Sequence, residues 1–122
     1  MLDITQKKVA LNSPAWLASS HGVENAQTFL FDPADYADIV KIYGGIPSGY
    51  PVKIEDGKAK PISDTTAPEG FVLWDQSGKG GQTAVAILVH GIIQTNALPK
   101  LVNGASQSDF TKPATPGLFR YL

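Results

Sequence analysis

The chain has 122 residues, a length that corresponds to one domain with a single modest hydrophobic core. Hydrophobic residues make up 43% of it and charged residues 17%, and the formal net charge is -1. No basic stripe is present, which argues against a nucleic-acid partner. Cysteine is absent, so disulfides, thiolate metal sites and cysteine nucleophiles are excluded. Twelve glycines and nine prolines favour short strands joined by turns over long helices.

The apolar segments do not suggest a membrane protein. The longest apolar run is AVAILV, Ala84 to Val89, which is too short to span a bilayer. The N-terminal sequence MLDITQKKVALN lacks the charged-then-apolar order of a signal peptide. We therefore expect no membrane partner and synthesis in the cytoplasm without export.

The N-terminal part of the chain predicts an arm, a strand, and a short helix or turn. Residues 1–14 have no clean hydrophobic period and are predicted to form an extended arm, with the domain body at 15–122. AQTFLFD, Ala26 to Asp32, is rich in β-forming residues and predicts the first strand. Asp32 followed by Pro33 is typical of a helix start, and apolar residues at helical spacing continue to Gly44-Gly45.

Further strands follow. YPVKIED, Gly57 and KAKPI predict a hairpin that turns at Asp56-Gly57. FVLWD predicts a strand, and TAVAILVHGIIQ predicts one long core strand with Gly91 as a bulge or bend. The segment from Asn96 to Gly117 is predicted to be a connection, and LFRYL a terminal strand. The pattern as a whole predicts a mainly β domain.

Ser48 is the first residue to test for catalysis, because glycines flank it in GGIPSG. A nucleophile elbow needs Gly-x-Ser-x-Gly between a strand and a helix. Here the serine stands one place late, and a strand is predicted to follow it. Pro47, Ser48 and Gly49 instead suit a turn. SGKGGQT likewise departs from the phosphate-loop motif and is predicted to be a hairpin loop.

The two histidines give only a weak metal signal. His21 and His90 are each followed by glycine, but no third or fourth ligand stands at a typical spacing. A histidine at a strand end that bonds to backbone is the better interpretation. The chain is therefore expected to have no catalytic residues, no metal and no cofactor, and to be a structural or interaction protein and not an enzyme.

An ordered set of landmarks runs along the chain: AWLASSHG, FLFD, GGIPSGYPV, AVAILVHGIIQTNALP and a closing LFRYL. This order resembles the head decoration proteins of tailed phages, in particular the small versions from phages of Gram-positive hosts. The segments FVLWDQSGKGGQTAVAIL and GLFRYL are similar to the lambda-type decoration family. The likeness covers roughly Ala15 to the C-terminus.

The resemblance implies a compact β-ribbon, β-clip-like domain with at most one short helix. It also implies a homotrimer on the outer surface of the virion, where it binds the major capsid protein after the shell expands and stabilises the shell. The arm and the apolar strand positions then supply the candidate contacts. The capsid-binding candidates are Ile4, Val9, Leu11, Pro14 and Trp16, with Trp16 anchoring the arm to the body; the trimer-interface candidates are Val72, Trp74, Ile92 and Ile93.

A second class of function stays open at this point. Small β barrels also serve as carbohydrate- or ligand-binding modules on virion surfaces. A pair of exposed aromatic side chains over a groove would favour that alternative, with Trp16 and Trp74 as the large aromatics to examine.

Overall fold

Five strands close into a barrel in the computed structural model, which describes residues 15–18, 26–62, 67–111 and 119–122. The barrel strands are β1 (Ala26–Phe31), β3 (Pro51–Glu55), β4 (Lys58–Pro61), β5 (Gly70–Val72) and β7 (Thr83–Leu88). Their order is β1-β4-β3-β5-β7, and β7 pairs back with β1. The β1–β4 pair is parallel, and the other four pairs are antiparallel. Closure leaves these strands without a long free edge.

Three two-stranded units lie outside the barrel. β2 (Gly45–Ile46) pairs with β6 (Gln76–Ser77), and β9 (Leu101–Asn103) pairs with β10 (Ser106–Ser108), both antiparallel. β8 (Gly91–Ile93) pairs in parallel with β11 (Phe119–Tyr121). The prediction of a mainly β domain with one short helix is confirmed, whereas the predicted arm at 1–14 lies outside the described residues.

The helix forms where the sequence predicts it. A 3₁₀ turn at Pro33–Tyr36 continues into α1 at Ala37–Tyr43. The Asp32 carboxylate accepts a hydrogen bond from the backbone N–H of Ala34 at 3.0 Å, as an N-cap does. Gly44 ends the helix with φ 80°, and its N–H donates to the Val40 carbonyl at 2.8 Å.

The β3–β4 hairpin is also confirmed. Asp56 and Gly57 have φ values of 49° and 77°, so both central residues are left-handed. That is the conformation that Asp-Gly favours in a two-residue hairpin. Glu55 stands opposite Lys58 in the resulting register.

Three boundaries differ from the prediction. The strand predicted at FVLWD ends at Val72, and the predicted long core strand is two strands, because the pairing of β7 with β1 stops at Leu88. The segment predicted as a connection contains the β9–β10 hairpin. Its signal was Gly104, which forms the two-residue turn with Ala105 between the paired residues Asn103 and Ser106 and has φ 66°; a glycine in the first turn position is typical of a tight hairpin.

The barrel wall has buried side chains on both of its faces, and they form two clusters. One core cluster contains residues from all five barrel strands and therefore fills the interior, where Phe31, Val52, Val72 and Ile87 lie. The other packs on the outside of β5 and β7 and consists of Trp16, Leu17, Phe71, Leu73, Leu88, Ile93 and Phe119. The neighbours Phe71 and Val72 join different clusters because side chains alternate along a strand.

Two tyrosines close the interior cluster with hydrogen bonds. The Tyr36 hydroxyl donates to the Ala59 carbonyl at 2.7 Å, and the Tyr50 hydroxyl accepts from the Val102 N–H at 3.0 Å. Both side chains are fully or almost fully buried, and this burial raises the pKa of each phenol above its ordinary value. The hydroxyls are therefore neutral structural groups.

Gly70 gives a direct test of this two-sided packing. A Cβ at Gly70 would collide with Ile87 Cγ2 and would lie 2.9 Å from the Leu88 carbonyl oxygen. We expect Gly70→Ala to lower the free energy of unfolding by about 1–3 kcal/mol, because β5 and β7 must separate to admit it. Urea denaturation measures the change.

Gly81→Ala is the matched control. Nothing lies within 4 Å of a Cβ at Gly81. Its stability should stay within about 0.5 kcal/mol of the unsubstituted chain. Equal unfolding midpoints for the two variants would mean that β5 and β7 are not packed as described.

Candidate interaction surface

Trp16 is held inside the second cluster. Its side chain is 3% exposed, and its ring centre lies 5.7 Å from that of Phe71. The indole Nε1–H donates a hydrogen bond to Ser48 Oγ at 2.9 Å. The N-terminal segment is therefore fixed to the body at this residue by both packing and a directed polar contact.

Ser48 connects three parts of the chain. Its hydroxyl accepts from Trp16 and donates to the Leu73 carbonyl at 2.6 Å. Its backbone N–H donates to Asp75 Oδ1 at 2.7 Å. One residue thus holds the N-terminal segment and the stretch after β5 together.

The backbone around Ser48 forms the predicted turn. The Tyr50 N–H donates to the Pro47 carbonyl at 3.2 Å, and Gly49 has φ 92°. The Gly49 N–H donates to the Val72 carbonyl at 2.7 Å. A Cβ at Gly49 would lie 2.7 Å from Trp16 Cδ1, so only glycine lets the indole approach this turn.

A small sheet joins the two ends of the described chain, and we call it the terminal sheet. It consists of β8 and β11, and the segment Trp16–Ala18 extends it on the other side of β8 through an isolated β-bridge between Leu17 and Ile93. The Ala18 N–H donates to the Ile92 carbonyl at 2.9 Å, and the Gln94 N–H donates to the Trp16 carbonyl at 2.6 Å. On the other side, the Leu122 N–H donates to the Ile93 carbonyl at 2.8 Å.

The predicted trimer-interface set needs correction. Val72 and Ile93 are each 0% exposed, because Val72 faces the barrel interior and Ile93 faces the second cluster. Neither side chain is available to another subunit. Ile92 is half-buried, and Trp74 is 39% exposed because β5 ends two residues before it. Of the four candidates, only Ile92 and Trp74 reach the surface.

The capsid-binding candidates divide in a similar way. Ile4, Val9, Leu11 and Pro14 lie outside the described residues. Trp16 is buried against the body and is not available as a capsid contact. It occupies the position expected of an anchor at the start of the body.

Trp16 and Trp74 do not form an exposed aromatic pair over a groove. Tyr43 lines a groove of about 310 Å³ together with Pro47, Asp75 and neighbouring backbone. The Tyr43 hydroxyl donates to the Lys100 carbonyl at 2.9 Å. Trp74 is exposed but does not line this groove, and Trp16 is buried. The two tryptophans therefore do not supply the arrangement that would favour a carbohydrate module.

The metal hypothesis gains no support from the described ranges. Within them, no three histidine or acidic side chains lie close enough to hold an ion. His90 is exposed, and His21 lies outside the described residues. In the same ranges, no helix has the length and apolar character needed to cross a membrane.

Comparisons of the chain with protein-family models, with characterised proteins and with solved structures find no match. The functional proposal therefore depends on the chain's own residues and on the order of landmarks described above.

Sequence reasoning placed Ser48 in a turn and Trp16 at an anchor, but it missed the hydrogen bond between them. The two residues are separated by 32 positions, and no spacing rule connects them. The only sequence signal was Gly49, whose missing side chain makes room for the indole.

Removal of the Ser48 hydroxyl should destabilise the body. Ser48→Ala leaves the Trp16 Nε1–H and the Leu73 carbonyl without their partner, and an unsatisfied buried group costs about 1–3 kcal/mol. We expect a loss of that size in thermal or urea unfolding. Ser106→Ala, at an exposed position of β10, is the matched control and should be nearly neutral.

A double-mutant cycle with Trp16→Phe isolates the contact, since phenylalanine keeps a ring but loses the donor. The two substitutions should couple by about 0.5–3 kcal/mol. Additive effects would show that the hydrogen bond does not connect the two segments in solution.

Proposed function

We propose that this protein is a capsid decoration protein of a tailed phage. As a trimer it binds the outer surface of the expanded head and stabilises contacts between major capsid proteins. The observation that carries the proposal is the fixation of Trp16, which sets the point where residues 1–14 join a β body. The resemblance of the landmarks to head decoration proteins supplies the kind of partner.

Because Trp16 is fixed to the body, the residues before it start from a defined position when they bind a partner. Fourteen extended residues reach about 46–50 Å from the body, enough to cross onto a neighbouring protein. Ile4, Val9 and Leu11 give this segment β-forming, apolar character, whereas Lys7 and Lys8 keep it polar. Such a segment suits strand addition to an exposed sheet edge, where main-chain hydrogen bonds supply affinity.

The composition suits a protein that covers a DNA-filled shell. A net charge of -1 gives no general attraction to nucleic acid. Three arms on one trimer act together, so modest contacts by each arm give strong attachment through effective concentration. The carbohydrate-module alternative is weaker, because Trp16 is buried and Trp74 does not line the groove at Tyr43.

Co-sedimentation with capsid shells tests the proposal. The full chain should sediment with expanded shells and not with unexpanded ones. Deletion of residues 1–14 should leave folding nearly intact, because Trp16 remains, and should weaken binding by orders of magnitude because the main-chain bonds are lost together. Equal affinity of the truncated and full chains would assign these residues to the protein's own assembly.

Point variants separate arm chemistry from arm length. Val9→Asp with Leu11→Asp should reduce shell binding, because it removes apolar side chains from the added strand. Gln6→Asp with Asn12→Asp adds the same charge at polar positions and should keep most of the binding. Equal losses in the two pairs would point to charge repulsion instead of strand addition.

A further inference from the structure

The terminal sheet has two free edges within the described residues. The Trp16 carbonyl and the Ala18 N–H are hydrogen-bonded to the chain of β8 and the residue that follows it. Because backbone groups alternate in direction along an extended chain, the N–H and C=O of Leu17 point away from β8. Leu122 is bonded to Ile93 and to Thr95, so the backbone groups of Tyr121 point away from β8 on the opposite side. No described residue bonds to these outward groups.

These edges carry only part of the usual protection against pairing. Natural free edges are protected by lysines and other charges, by prolines or bulges, or by being very short. Trp16–Ala18 and Phe119–Leu122 are short and contain one charged residue, Arg120, but they contain no lysine and no proline. Beside the β11 edge, Phe110 and Tyr121 are only half-buried, with ring centres 5.5 Å apart. An added strand would cover them.

We propose that the Leu17 edge of one copy pairs with the β11 edge of the next copy. The two edges are different surfaces on opposite sides of one sheet, so the contact is head-to-tail. Head-to-tail contacts close into rings when the rotation between copies permits. This inference rests on the trimer of the proposed function and names the surface that builds it, while residues 1–14 stay available to the capsid.

Strand direction fits such a ring. The segment at Trp16–Ala18 runs antiparallel to β8, and β11 runs parallel to β8. Rotation about an axis along the strands keeps these directions, so β11 meets the next copy's Trp16–Ala18 segment antiparallel. Antiparallel pairing is the commoner arrangement and needs no crossover.

The register within one copy identifies two positions at which a disulfide would report pairing between copies. Leu17 is opposite Ile93, so Ala18 is opposite Ile92, and Arg120 is also opposite Ile92. Ala18 and Arg120 are both exposed and stand in one row, with β8 between them. Two strand spacings separate them by about 9.4–9.8 Å, beyond the roughly 7 Å limit for a disulfide. A disulfide between these positions can therefore form only between copies.

Because the chain has no cysteine, this pair can be tested in the otherwise unaltered protein. The double variant Ala18→Cys with Arg120→Cys is oxidised at high protein concentration and analysed by non-reducing electrophoresis. In a closed ring the Leu17–Tyr121 pair is hydrogen-bonded, and the adjacent Ala18 and Arg120 face each other at about 4.5 Å between Cα atoms. We expect covalent dimers and trimers, with the trimer as the end point.

Two controls keep the result specific. Mixed single variants, Ala18→Cys with Arg120→Cys, should give only a disulfide-linked dimer that contains one of each, as mass spectrometry reports. Ala18→Cys combined with Gln107→Cys, an exposed position on β10, should stay monomeric on the gel. Both cysteine sites are exposed, and unchanged thermal unfolding of the reduced proteins confirms that they fold.

The outcomes separate this inference from the proposed function. Monomers only, in solution and on expanded shells, or dimers joined through identical positions, would overturn the paired edges. Cross-linked trimers that fail to sediment with expanded shells would support the paired edges and contradict the capsid role. Shell binding without a link between positions 18 and 120 would support the capsid role and contradict the paired edges.

Discussion

The hydrogen bond from Trp16 Nε1 to Ser48 Oγ is the contact on which the outer half of the structure depends. The same hydroxyl donates to the Leu73 carbonyl, so it satisfies one donor and one acceptor at once. With the indole fixed, Leu17 enters the second cluster and pairs with Ile93. The serine in the turn thus helps to hold a distant tryptophan, and with it the segment Trp16–Ala18, against the terminal sheet.

The barrel supplies the rigid surface on which this contact is built. Phe71 faces outward from β5, and its ring lies 4.9 Å from that of Phe119 and 5.7 Å from that of Trp16. Val72, the next residue, faces inward and closes the interior. Both faces of β5 are thus fully packed, which explains why Gly70 tolerates no side chain and why this strand has no apolar surface left for a partner. The two clusters share the strands β5 and β7, and for this reason a chain of this length can form both.

Local chemistry made much of the fold predictable. Asp32 before Pro33 and the Asp56-Gly57 pair act over a few residues, and both formed the structures that their side chains favour. The closure of β1 onto β7 and the Trp16–Ser48 contact were not predictable, because they join residues far apart and have no local signature. The same limit explains the errors at Val72 and Ile93. An apolar residue in a strand predicts burial, but only the topology decides whether its own chain or another subunit covers it.

The N-terminal part of the chain has two separable roles in the proposed assembly. Residues before Trp16 have the β-forming, apolar character needed to pair with a capsid strand, whereas Trp16–Ala18 are already committed to β8. The indole contact is the boundary between the two roles. Tension on an arm bound to the capsid would then act on a packed aromatic anchor and be passed to the barrel. In a ring of paired edges, tension on one copy would also reach its neighbours through β11, so that the trimer resists removal as one unit. A decoration protein that holds an expanded shell needs this property, since the internal pressure acts on all three capsid contacts together.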